Sequence, residues 1–167
     1  MDACEELIAL LGKPRPTNAQ LFMNLIQGID EKPILDYFHH RYCDYDFLKS
    51  GIRLQFDTEL GIFDRLRFQV HRGYSDEHQS YAGRLPFEIG RNDSVEEVEA
   101  KIPGSTMQLK DYRFDLDLRP LVLNCVFSEA NEPVFPQRYL RWITVDYLHV
   151  LCEPLRAASL GYDVRRT

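Results

Sequence analysis

The chain has 167 residues, 44% hydrophobic and 28% charged, which provides enough apolar material for one domain with its own core and excludes a disordered polymer. A formal net charge of -6 excludes the lysine- and arginine-rich surface that nonspecific nucleic-acid binding needs. The N-terminus "MDACEELIALLG" has acids where a secretion signal has a basic region, and no stretch approaches the roughly 18 apolar residues that span a bilayer, so the expected location is the cytoplasm, away from membranes.

Asp2 with Glu5 resembles a capping box, and Leu7, Ile8, Leu10 and Leu11 follow as one helix that Gly12 and Pro14 close. Thr17 with Gln20 repeats the device before a second helix carrying Leu21, Phe22, Leu25 and Ile26, ended by Gly28. Pro33 is read as opening a helical turn through "ILDYF".

At Tyr45 the period changes to two. Ile52, Leu54 and Phe56 alternate with Arg53, Gln55 and Asp57, and "DTELG" reads as the hairpin connection to a strand marked by Phe63, Leu66, Phe68 and Val70. The Phe63 to Leu66 spacing breaks strict alternation. The result is a three-stranded meander with one wet face. Residues 71–84 lack a period and read as a loop.

Ser94 with Glu97 forms another capping box, starting a helix through Val95, Val98 and Ile102 that Pro103-Gly104 stops. Three more strands follow: Tyr112 to Leu118 with clean alternation, the apolar "LVLNCVF" read as buried on both faces, and a strand in "RYLRWITVDYLHVL". In the last, Leu140, Trp142 and Thr144 are expected on one face, and Arg141, Ile143 and Val145 on the other.

The two halves, about 1–70 and 85–150, thus run in parallel, "EELIALLGKP" matching "EEVEAKIPGS" before a tyrosine-led set of strands. A helix plus a three-stranded meander leaves one apolar face uncovered, and two such units sharing a sheet cover it. The expected fold is a single α+β domain over 1–167, an antiparallel sheet with N-terminal helices and a tandem pseudo-repeat.

"LIALLGKPRP", "YDFLKSGIRLQFD" with "GIFDRLRF", and "YAGRLPFEIGRNDSVEEVEAKIPG" together resemble a broad bacterial family of small cytoplasmic immunity proteins encoded beside polymorphic, type VI or contact-dependent toxins. The likeness covers residues 5 to 104. Phe87-Glu88-Ile89 stands where the family carries a glycine-containing turn, and Ile102-Pro103-Gly104 replaces its L-G-x-P. The resemblance implies an immunity protein that binds and neutralises a cognate toxin by occlusion, without catalysis.

Rim loops would carry such binding. Asp57, Glu59, Asp64, Tyr74, Asp76, Glu77, His78, Tyr81, Glu129 and Glu132 are the candidate partner-binding residues, acids for steering and amphipathic rings for anchoring. Their sign would suit a basic toxin.

Other chemistry is less well founded. Asp36, His39, His40 and Cys43 would fall along one side of a helix, as zinc requires, yet Tyr37, Phe38 and Tyr42 crowd the segment and no further ligand cluster is evident. Cys4, Cys43, Cys125 and Cys152 form no C-x-x-C pair. Ser50, Ser94 and Ser128 lack a nucleophile elbow, and "GRNDSVEE" lacks the glycine pattern and lysine of a phosphate loop. No catalytic, cofactor or metal residue is therefore expected. The alternatives are a small ligand-binding or hydrolytic domain with a histidine-containing pocket, or a homodimer formed through Val122 to Phe127 should that strand lie at an edge.

Overall fold

The computed structural model describes residues 3–14, 29, 31–38, 40–71, 77–102, 104, 106–108, 113–118, 120–128 and 138–147. Among the described residues, eight strands form one antiparallel sheet: β1 (Ile34–Phe38), β2 (Tyr42–Phe47), β3 (Ile52–Asp57), β4 (Ile62–Gln69), β5 (Thr106–Gln108), β6 (Arg113–Leu118), β7 (Leu121–Phe127) and β8 (Leu140–Tyr147). Their spatial order is β1-β2-β3-β4-β8-β7-β6-β5, so each run of four is a meander and the last strands of the two runs pair with each other. Helix α1 (Ala3–Ile8) precedes the first run and α2 (Val95–Lys101) the second. None of these helices is long and apolar enough to cross a membrane.

Each run therefore has four strands where the sequence predicts three. The added strand of the first run is β1, which replaces the helical turn expected after Pro33. Ile, Tyr and Phe favour extended backbone, and a proline just before an edge strand removes no ladder hydrogen bond. β1 pairs along its length with β2, Asp36 opposite Asp44, and the turn between them places His40 at φ 58. The short β5 was not anticipated. The predicted second helix over 17–28 lies outside the described residues.

One face of the sheet buries Cys43, Tyr45, Phe47, Ile52, Leu54, Leu66, Phe68, Leu123, Cys125, Ile143 and Val145. Over it lie Cys4, Leu7, Leu10 and Leu11 of the α1 segment, Val98 and Ile102 of the α2 segment, and Tyr81, Leu85 and Ile89 of the connection between the runs. The α1 segment is laced to the sheet by hydrogen bonds from Gly12 N–H to the Phe63 carbonyl and from Phe63 N–H to the Lys13 carbonyl. Gly12 has φ +78, and a side chain there would strike the Tyr147 ring. The Ser94 capping box is present in both directions: Ser94 Oγ accepts from Glu97 N–H, and the Glu97 carboxylate accepts from Ser94 N–H.

Two bulges explain the irregular spacings. Gln55 pairs with Arg65 and Phe56 with Phe63, so Asp64 is an extra residue and both phenylalanines reach the core. Phe127 pairs with Leu140 and Val126 with Trp142, which makes Arg141 the extra residue on β8. Leu140 consequently joins Ile143 and Val145 in the core, correcting its expected place beside Trp142 and Thr144. β7 is flanked by β6 and β8, so it offers no edge for a symmetric partner, and its second face carries Val122, Asn124 and Val126, the two valines only partly buried.

The connection after Leu85 takes a 3-10 turn at Pro86–Glu88, in which Phe87 and Glu88 adopt φ 58 and φ 56. Left-handed backbone costs an L-residue roughly 1–2 kcal/mol. Phe87 is half exposed, so relief of strain outweighs lost packing. Phe87→Gly should raise the unfolding free energy in urea by about 1 kcal/mol; a lower midpoint would show that the ring's contacts matter more.

Candidate functional site

Strand register sets the face opposite the helices. Across β1, β2, β3, β4, β8, β7 and β6, one row of register partners reads Asp36, Asp44, Gln55, Arg65, Asp146, Val122, Asp117, and the next reads Ile34, Asp46, Arg53, Arg67, Thr144, Asn124, Asp115. The arginines thus occupy the middle strands β3 and β4, with aspartates on β2 and β8 beside them.

Cross-strand bonds knit this face. Arg53 donates through Nε and Nη2 to the Asp46 carboxylate at 2.5 and 3.2 Å, and its Nε stands 3.7 Å from Asp44. Gln55 Nε2 donates to Asp44 at 2.8 Å. Arg65 Nε donates to one Asp146 oxygen at 2.6 Å and Asn124 Nδ2 to the other at 3.2 Å. The Arg67 guanidinium lies 4.3 Å from the centre of the Trp142 ring and that of Arg141 4.8 Å, both within cation–π range. Of these groups Asp44, Arg53, Gln55, Arg65, Arg67, Asn124, Trp142 and Asp146 line a concavity of about 380 Å³ that also includes Val126 and Thr144.

The two neighbouring aspartates of β2 behave differently. Burial pushes both carboxyls up. At Asp44 burial dominates and the pKa stays raised despite Gln55 and Arg53. At Asp46 hydrogen bonds with His78 and Arg53, reinforced by the Arg53 charge, overcome burial and leave the pKa below the ordinary 3.8. His78 Nε2 lies 2.9 Å from Asp46 Oδ1, so the connection between the two runs clasps the end of the polar face.

The rim residues expected to meet a partner are differently placed. Asp57 is buried, receives two bonds from Arg41 and accepts the Glu59 and Leu60 N–H groups, so it holds the β3–β4 turn. Asp64 is buried at the bulge, Tyr81 packs on Phe68, and His78 is buried against Asp46. These four are buried in the isolated chain and not exposed on rim loops as the sequence reading expects. Glu59 and Glu77 are exposed, Glu59 within 3.3 Å of Arg41. Tyr74, Asp76, Glu129 and Glu132 lie outside the described residues.

The proposed zinc geometry is also corrected. Asp36 is on β1 and Cys43 buried on β2, in a hairpin rather than on one helix face, while His39 lies outside the described residues. Among the described residues no group of three or more His, Cys, Asp or Glu side chains could hold a metal. Burial pushes the Cys125 thiol up to about 12, which suits a core side chain rather than a nucleophile.

The sequence reading puts Arg53 on a wet strand face and Trp142 beside Leu140 and Thr144, and it assigns Arg65, Arg67 and Asp146 no site. Their signal was available: "DRLRF" and "RWITVD" each carry polar groups at every second position. Comparison with protein-family models, with curated proteins and with solved structures finds no match.

The contrast between the two aspartates has a measurable consequence. A carboxyl with a lowered folded pKa stabilises the fold above its unfolded value and loses that contribution as pH falls through the folded value; a raised one favours the fold below 3.8 and loses this as pH rises through its folded value. At pH 7, Asp46→Asn should destabilise by about 1–3 kcal/mol, as charge-assisted bonds are lost. Asp44→Asn should be neutral or stabilising. Urea unfolding of both variants checks this, and equal losses would contradict it.

Proposed function

We propose that the chain is an immunity-type binding protein that neutralises a cognate bacterial toxin by occlusion in the cytoplasm, without catalysis, and that the polar sheet face meets the toxin. The observation that carries the location is Trp142, whose ring centre lies 4.3 Å from the Arg67 guanidinium and 4.8 Å from that of Arg141. Tryptophan and arginine dominate the energetics of protein interfaces, and side chains mounted on strands paired on both sides need little ordering on binding. The role as an immunity protein is supported by the motif resemblance over residues 5 to 104.

The tandem architecture belongs to the same proposal. Helix and four-stranded meander recur in order, and the two runs meet through their last strands, which supports reading them as copies of one unit. Duplication would place the joint between copies at the centre of the binding face.

A second reading is favoured by the concavity itself, since about 380 Å³ with convergent polar groups suits a small ligand. Co-expression separates the two. The chain should restore growth to cells making the toxic domain encoded beside it and should co-purify with that domain. Trp142→Ala should weaken the complex by about 30-fold or more, as loss of an interface anchor does. Undiminished binding and protection by Trp142→Ala would remove the polar face from the interface.

A further inference from the structure

We infer that Arg53, Arg65 and Arg67 form an anion-recognition site that receives an acidic side chain of the partner protein, with an apolar neighbour of that side chain resting on Trp142. The inference rests on the binding reading above and gives the partner's contacting segment a charge opposite to that expected from the whole chain.

The primary observation is register. Arg53 and Arg67 are direct partners across β3 and β4, and Arg65 lies one step along β4 on the same face. Like charges placed directly opposite destabilise a sheet. Here they stand together at the centre of the concavity, whose lining has three arginines against two aspartates in a chain of net charge -6.

Asp46 engages Arg53, and Asp146 engages Arg65 through Nε alone. A guanidinium carries five N–H donors, so Arg53 and Arg65 retain others for an incoming anion. Both side chains remain reachable, 34% and 33% exposed. Arg67, stacked on Trp142, sets a third positive charge beside an apolar surface that Val126 extends.

Asp46, with Asp44 close by, already offsets the charge of Arg53 in the free protein, so an entering carboxylate would add bonds to the guanidinium donors that remain. Net charge does not decide the matter, because charges more than about 8 Å away are largely screened at physiological salt. The acidic surface repels anions in bulk, whereas this pocket accepts one locally. The paired apolar contact distinguishes an acidic protein segment from a bare inorganic anion.

Trp142 is the only tryptophan of the chain, so its fluorescence reports on this site. The full-length protein would be titrated with an acetylated hexapeptide alternating Asp or Glu with Leu, with its lysine counterpart, and with inorganic phosphate. The acidic peptide should change the emission saturably, the lysine peptide should not, and phosphate should need far higher concentrations. Arg67→Ala should weaken the acidic peptide about tenfold, and it also removes the bond from Arg67 Nη2 to the buried Gln69 Oε1, so the melting temperature should fall by several degrees while the variant stays folded. Arg67→Gln serves as a second variant should the alanine form fold poorly.

No saturable response to the acidic peptide, an equal response in the Arg67 variants, or phosphate saturating at the same concentration would each overturn the assignment. The two proposals fail separately. A toxin complex weakened by Trp142→Ala but untouched by Arg67→Ala sinks the anion site alone, whereas acidic-peptide binding without protection from the toxin sinks the immunity reading alone.

Discussion

The antiparallel pairing of β4 with β8 is the constraint on which both faces of this protein depend. It brings residues 81 positions apart into one hydrogen bond, Arg65 to Asp146, and it joins the meanders into one sheet. On the helix side it sets Leu66 against Val145 and Phe68 against Ile143, each buried, so the core crosses the seam without a break. On the other side it sets Arg67 beside Thr144 and one step from Trp142, which makes the seam the floor of the concavity. A slip of one residue would exchange the two faces and bury the arginines.

Because all the described helices lie over one face, the other face is free to be polar, and it is organised rather than merely hydrated. Charges alternate across strands and not along them: aspartates on β2, arginines on β3 and β4, an aspartate again on β8. Such an arrangement stabilises the sheet through charge-assisted bonds in a partly desolvated setting, where they are stronger than at an open surface. The like pair at its centre is the exception, and exceptions to local consistency are where function is expected.

Much of the architecture was legible in the chain. Period-two alternation located β3, β4 and β6, and Ser94 with Glu97 located the start of α2, because both signals are local and their physics acts within a few residues. β1 was misread because Pro33 before five residues suits a helix start as well as an edge strand, and only pairing with β2 decides. Leu140 was assigned to the wrong face because a bulge at Arg141 is a property of two strands at once. The candidate site was less legible: Asp57, Asp64, His78 and Tyr81 looked like rim groups but are buried, since polarity in a sequence does not distinguish a solvated side chain from one satisfied by a partner far along the chain.

What the order of residues settled alone was the coarse class of the protein: mostly antiparallel strands with few helices, one of them capped at Ser94, and an apolar core, all read from signals that operate over short range. What only the folded chain decided was which polar residues share a place. Arg53, Arg67 and Trp142 lie on three strands, and no spacing in the chain relates them; the register of β3 with β4 and of β4 with β8 does. Register is fixed by the burial of whole strand faces and by two bulges, which are collective properties, so the character of the binding face emerges with the tertiary structure.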